Sequence, residues 1–191
     1  MQTILNLHGL IPASRVNGPG TRCVVFFQGC NRDCLGCFNP GTHDFAMNKA
    51  VTVAEALSNV SALTEGLTIS GGEPFMQAHG LRMLLRAGEE KNKGLSVIVY
   101  TGFTLAEIKA RPEMAAVLPF IDVLVAGPYD PLKVEKTLLP RGSTNQTFHF
   151  LSHRYTIEDL YLPGRIEVTI KADGSLTGTG FAGFLSKGDF I

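Results

Sequence analysis

The sequence predicts an α/β fold: an open or partial barrel of mostly parallel strands that ends in a carboxyl-terminal β-hairpin. Three observations lead there. Short apolar runs alternate with longer segments of helical periodicity, the pattern of repeated βα units. A glycine follows each of the four strongest runs within a few residues. The chain has 191 residues, which suits one domain, whereas a closed eight-stranded α/β barrel usually takes ~250. Residues 1–155 are expected to form the barrel, and residues 156–191 an extension of the same domain.

The strand candidates are residues 22–28, 67–70, 95–100 and 121–125, followed by Gly29, Gly71, Gly102 and Gly127. Strand ends of this kind are where α/β folds place their ligands. Thr52-Val53-Ala54-Glu55 is a capping box that opens a helix to about residue 63. Residues 76–91 carry Leu81, Leu84, Leu85 and Gly88 at helical spacing. A second capping box, Thr104-Leu105-Ala106-Glu107, is flanked by Phe103 and Ile108 as a hydrophobic staple. Pro112 starts a short helix through residue 118, which Pro119 helps to end. Beyond Pro128 the pattern loosens into a long loop marked by Pro131, Pro140 and Gly142. A strand over 147–151 and a short helix over 156–161 follow, and residues 165–172 and 175–181 flank the hairpin signal Asp173-Gly174.

Composition removes several classes of function. Seventeen basic side chains balance seventeen acidic ones, which argues against nonspecific nucleic-acid binding, because that affinity rests on an excess of Lys and Arg. No apolar run reaches the ~18 residues of a membrane span. Residues 1–10 have neither a basic start nor a small-residue cleavage site, so a cytoplasmic location is expected. With 45% apolar residues the chain can build a core without disulfides.

The informative cluster is Cys30, Cys34 and Cys37, three of only four cysteines, on a short loop after the first strong strand. Three thiolates can each hold one iron of a 4Fe-4S cluster, which normally takes four, so one iron is left for an outside ligand. Gly29 and Gly36 permit the tight curvature such a loop needs. A structural zinc site with His43 as fourth ligand is an alternative, although no second Cys or His pair has matching spacing. A ferredoxin-like carrier would need a fourth Cys; the candidate, Cys23, lies within a strand and is read as a small buried hydrophobe. His8, His43, His79, His149 and His153 are scattered, and none is read as a catalytic base.

Cys30-x3-Cys34-x2-Cys37 resembles the cluster loop of the radical S-adenosylmethionine superfamily. Further stretches are similar to one branch of it, the activating enzymes of anaerobic ribonucleotide reductase and, more distantly, of pyruvate formate-lyase. Asn17-Gly18-Pro19-Gly20-Thr21-Arg22 resembles their approach to the first barrel strand. Cys34-Leu35-Gly36-Cys37-Phe38-Asn39 resembles their C-x-G-C-aromatic-Asn ending, with Phe38 where Tyr is common. Ser70-Gly71-Gly72-Glu73-Pro74 resembles their GGE motif, and Tyr100-Thr101-Gly102-Phe103 a strand end beside the ribose. The stretches 122–129 and 141–146, the latter with Arg141 and Asn145, resemble two more segments. Ala126 stands where the branch often carries Asp. The resemblance spans residues 16–150 and leaves 151–191 unmatched.

The resemblance implies a (βα)6-type partial TIM barrel and two cofactors, a 4Fe-4S cluster and S-adenosylmethionine. Cys30, Cys34 and Cys37 would bind iron, while Ser70, Gly71, Gly72, Glu73 and Thr101 would contact S-adenosylmethionine. Reductive cleavage would give a 5′-deoxyadenosyl radical, with no catalytic residue beyond cluster and cofactor. The implied partners are a glycyl radical enzyme and a flavodoxin-like or ferredoxin-like electron donor. A small molecule, nucleotide or peptide substrate is the alternative within the same chemistry, and a noncatalytic iron-sulfur or zinc protein is the alternative outside it.

Overall fold

A computed structural model describes residues 2–170, 173–174 and 176–181. Among them, seven strands form one sheet in the order β3-β1-β2-β4-β5-β6-β7, and two more form a separate ribbon. Along the chain these are β1 (Ile4–Ser14), β2 (Arg22–Phe27), β3 (Lys49–Thr52), β4 (Gly66–Gly71), β5 (Ser96–Thr101), β6 (Val123–Ala126), β7 (Thr147–Phe150), β8 (Ile166–Ile170) and β9 (Leu176–Gly180). The four central strands, β2, β4, β5 and β6, run parallel. Antiparallel strands flank them, β1 and β3 on one side and β7 on the other. The fold is therefore mixed α/β around a mostly parallel centre.

The first ten residues carry no strand expectation, yet β1 is the longest strand. Its period is visible in hindsight: buried Leu5 and Leu7 alternate with Asn6 and His8. Register shifts between Leu7 and Gly9 and between Ile11 and Ser14 interrupt that alternation. Helix α1 (Val53–Ser58) opens with the expected capping box but ends well before residue 63. Helix α2 (Ala78–Lys91) follows a 3-10 turn, Pro74–Gln77. Helix α3 (Leu105–Lys109) carries the second capping box. Helix α4 (Pro112–Ala115) stops early, and Pro119 sits inside a separate 3-10 turn, Leu118–Phe120, instead of ending the helix. The expected helix at 156–161 is a 3-10 turn, Glu158–Leu160. In the hairpin β8 pairs with β9 as expected; Lys171, Ala172, Ser175 and residues 182–191 lie outside the described residues. No helix among the described residues is long and apolar enough to cross a membrane.

Alternation along the parallel strands gives the sheet two different faces. Cys23, Val25, Phe27, Leu67, Ile69, Val97, Val99 and Leu124 face the helices and pack with Leu57, Leu81, Leu84, Leu85 and Ile108. Each of these fully buried aliphatic side chains contributes about 1.5–3 kcal/mol relative to exposure. Cys23 is part of this core, as its sequence position suggested. The opposite face holds Ile98, Val123 and Val125 under Leu139 and Leu160, and also a buried polar layer. There Arg22 is 0% exposed. Its guanidinium donates to Thr68 Oγ1 (2.7 Å), Ser96 Oγ (2.8 Å), and the carbonyls of Leu67 (2.7 Å), Ser96 (3.1 Å) and Pro19 (3.1 Å). Desolvation of the charge is offset by these bonds. The arrangement clamps the starts of three parallel strands, so their other ends meet in register.

Candidate functional site

At those ends lies an open cleft lined by Cys30, Cys34, Cys37, Ser70, Gly71, Gly72, Glu73 and Thr101 among others. Every site residue read from the sequence thus faces one space. The cysteine loop is shaped by positive φ angles at Gly29 (95°), Asp33 (48°) and Gly36 (68°). It is zipped to the segment after it: Gly29 N–H donates to Thr42 O (2.8 Å) and Cys30 N–H to His43 O (3.1 Å). The Gln28 amide fastens the same segment through Asp44 O at 2.8 Å. Two sulfurs already accept backbone N–H bonds, Cys30 from Arg32 and Cys37 from Asn39, each at 3.4 Å. Burial pushes the Cys30 thiol up, and the Arg32 amide works against that shift; coordination to iron would hold it as thiolate. None of the four cysteines is in a disulfide.

The second wall is the end of β4. Gly71 has φ +107°, and an added Cβ there would run into the Phe27 backbone. A Cβ on Gly72 would run into Gly29 O and lie 2.8 Å from Thr42 O. Gly72 N–H donates to Phe27 O (2.9 Å) and Glu73 N–H to Gly29 O (2.9 Å), so the glycine turn is bonded to the base of the cysteine loop. Glu73 is 0% exposed. Its carboxylate accepts from Phe75 N–H (3.1 Å), Gly102 N–H (2.8 Å) and, on both oxygens, Thr101 Oγ1 (2.9 Å). Thr101 Oγ1 also accepts from Phe103 N–H at 3.0 Å. Glu73 is therefore a staple between the ends of β4 and β5.

Because backbone surrounds Gly72, replacing it by alanine is expected to destabilise the protein by about 3 kcal/mol. A fall in Tm of about 10 °C measured by calorimetry would follow for a chain of this size. An unchanged Tm would contradict the close approach.

The model of the 4Fe-4S single cluster domain family matches residues 16–149. The anaerobic ribonucleoside-triphosphate reductase-activating protein of Vibrio cholerae is 33% identical over 153 residues, covering 76% of this chain and 97% of that protein. The Escherichia coli protein of the same name is 32% identical over 155 residues, covering 77% and 99%. This chain belongs to that family. The member from Enterobacteria phage T4, 33% identical, covers 74% of this chain and 92% of its own. The resemblance to the activase branch of the radical S-adenosylmethionine superfamily is thereby borne out.

Two residues of the 141–146 stretch, Arg141 and Asn145, have definite places in the structure. Arg141 Nε donates to Glu135 Oε2 (2.7 Å) and its NH1 to Gln146 O (2.8 Å), with the guanidinium 5.3 Å from the Phe148 ring centroid. Burial alone would raise the Glu135 carboxyl, but the Thr137 amide and Arg141 hold it down to about 2. Asn145 Nδ2 donates to Pro128 O at 2.8 Å. Both residues brace the loop between β6 and β7. Gln146, from the same motif, reaches the cleft while bonding Gly142 N–H, Ser143 N–H and Gly127 O. Ala126 packs in the helix-side core, where an Asp would meet apolar neighbours.

The residue set of this activase family member suits the two groups its family implies. The donor set is three thiols on one loop, with Cys23 kept away in the core. The glycine turn packs against the base of that loop, where a Cβ on Gly71 or Gly72 would strike backbone, and its strand end lines the same cleft as the thiols. Tyr100, also in the cleft wall, has a buried hydroxyl without a partner among the described residues. The sequence places Tyr100 in the strand end beside the ribose without singling out its side chain; Phe26 lies on the cleft face opposite Phe27. Among the described residues no three His, Cys, Asp or Glu side chains form a group able to hold a single metal ion.

Proposed function

We propose that this chain is a radical S-adenosylmethionine enzyme that generates a glycyl radical on a partner enzyme such as anaerobic ribonucleotide reductase. The observation that carries the reading is that Cys30, Cys34 and Cys37 and the Ser70-Gly71-Gly72-Glu73 strand end share one cleft wall to wall. The names of the relatives, all reductase-activating proteins, supply the partner. The sheet, parallel at its centre and covered by helices on one face, is read as a (βα)6-type partial barrel whose antiparallel edges close no ring. Residues 1–155 and the extension 156–191 are read as one domain, located in the cytoplasm.

In this reading a 4Fe-4S cluster, when bound, supplies the electron that cleaves S-adenosylmethionine to the 5′-deoxyadenosyl radical. Cys30, Cys34 and Cys37 would hold the cluster through three of its irons. Backbone carbonyls at Ser70, Gly71 and Gly72 would accept from the methionine ammonium, and the Glu73 carboxylate would add negative charge nearby. Thr101 stands at the ribose side, its hydroxyl tied to Glu73. A flavodoxin-like or ferredoxin-like protein is the proposed electron donor. A small-molecule substrate is the second reading, favoured by Gly180 and Phe181, which occupy part of the cleft wall.

The test is anaerobic reconstitution, reduction, and mixing with candidate reductases and lyases. A doublet of a glycyl radical in electron paramagnetic resonance is the expected result. Cleavage of S-adenosylmethionine without a protein radical would favour the small-molecule reading, and about one zinc with no iron would sink both.

A further inference from the structure

Beyond residue 149, where the family match ends, the chain returns to the cleft. Gly180 and Phe181 line it beside Cys30 and Glu73. Their placement is built by specific contacts. Gly180 has φ +111°, and a Cβ there would strike the Arg165 carbonyl, so the turn requires glycine. Phe181 N–H donates to Arg165 O at 2.7 Å, and Arg165 Nε donates back to Phe181 O at 3.3 Å. Arg165 also bonds the Thr137 carbonyl.

The ribbon itself is tied to the buried polar layer of the sheet. Asn17 Nδ2 donates to Thr179 Oγ1 at 2.9 Å, and Asn17 O accepts from Thr68 Oγ1 at 2.7 Å. Thr68 Oγ1 in turn accepts from Arg22 Nε at 2.7 Å. On the neighbouring strand, Glu167 accepts from Ser14 Oγ (2.6 Å) and Arg15 N–H (3.0 Å). A relay of hydrogen bonds thus runs from the central guanidinium to the extension. Its product is an aromatic pair: the Phe181 ring lies 5.8 Å from that of Tyr100, tilted by 48°. The Tyr100 hydroxyl beneath is buried without a partner among the described residues.

We propose that Phe181 is a positioning residue supplied by the extension, forming with Tyr100 an aromatic wall for the nucleoside part of S-adenosylmethionine. This rests on the cofactor reading above. The glycine turn and the open iron take the methionine end, which leaves the flat purine and its ribose for one of the two aromatic pairs in the cleft, Phe38–Tyr129 or Tyr100–Phe181; the second adjoins Thr101, the residue read at the ribose. The extension then completes a site that residues 16–149 leave open on that side.

The test is Phe181→Ala in the full, reconstituted protein, with S-adenosylmethionine binding measured by equilibrium dialysis. Affinity is expected to fall about tenfold, the worth of one large buried contact, with iron content unchanged and Phe181→Leu restoring part of the loss. The chain contains no tryptophan, so Phe181→Trp places its single indole in the wall, whose emission, excited at wavelengths tyrosine does not absorb, should shift on adding S-adenosylmethionine. Binding by wild type with equal affinity in Phe181→Ala, or a silent Phe181→Trp signal while dialysis shows binding, would overturn the proposal alone. No binding by wild type would instead overturn the cofactor reading.

Discussion

Cys34→Ala is expected to remove the cluster and, with it, all reductive cleavage of S-adenosylmethionine. The middle cysteine sits in the tightest part of the loop, between Asp33 and Gly36, both with positive φ, and Cys37 N–H donates to its carbonyl at 3.1 Å. Alanine keeps that backbone bond and takes away only the sulfur. Two thiolates cannot hold a cluster whose usual ligand number is four and which here has three. The loop stays zipped through Gly29 and Cys30 to residues 42 and 43, so the fold should survive. Anaerobic iron and sulfide analysis should fall from about four irons per chain to near zero, while the far-ultraviolet circular dichroism spectrum is unchanged. Cleavage activity persisting in the variant would remove Cys34 from the ligand set. Cys23→Ala is the internal control: its sulfur is 0% exposed in the helix-side core, so it should cost some stability and no iron.

The parts of the fold legible in the sequence were those fixed by short-range chemistry. The capping boxes at Thr52 and Thr104 need only residues three apart, and both form. The parallel strands announce themselves as apolar runs because both of their faces are buried. Strand β1 was hidden because its polar residues answer to partners far away: Asn6 N–H bonds Gln77 and His8 bonds Gln28. The antiparallel edges were equally hidden, since pairing direction is decided by connections across the sheet. In the site, the cysteines and glycines were visible because iron ligation and backbone approach admit few residue types. The Tyr100 ring was visible only as part of its motif and Phe181 not at all, because an aromatic residue in or beside a strand shows no face until the structure supplies it.

Glu73 illustrates the same limit and leads to the second large effect. A GGE motif suggests a carboxylate near an ammonium; the structure adds that this carboxylate joins two strand ends. Glu73→Ala would leave Phe75 N–H, Gly102 N–H and the Thr101 hydroxyl unpaired in a buried place, at about 1–3 kcal/mol for each group. An expected loss of about 4 kcal/mol is a large share of the 5–15 kcal/mol of a typical domain, so Glu73→Gln is the more useful variant. It keeps shape and one acceptor oxygen but turns an NH2 toward a backbone N–H, and a loss of about 2 kcal/mol is expected.

The pH response separates the charge from the staple. Burial pushes the Glu73 carboxyl up to about 7, against the Phe75 and Gly102 amides and the Thr101 hydroxyl. Its folded value therefore lies above the 4.5 of the unfolded chain. The folded state holds the extra proton between those values, so this group's contribution to stability is full below about 4.5, declines as pH rises toward about 7, and is gone above it. Binding a cationic ammonium has the opposite sign, because it needs the ionised form. S-adenosylmethionine affinity is accordingly expected to be flat above about 7 and to weaken about tenfold per unit of pH below it. Equilibrium dialysis between pH 5.5 and 8.5 on the reconstituted protein reads this directly. Glu73→Gln should bind weakly at every pH with no slope in that window. A wild-type curve equally flat, with Glu73→Gln still unstable, would show that the carboxylate only staples the strands and that the glycine carbonyls alone receive the ammonium.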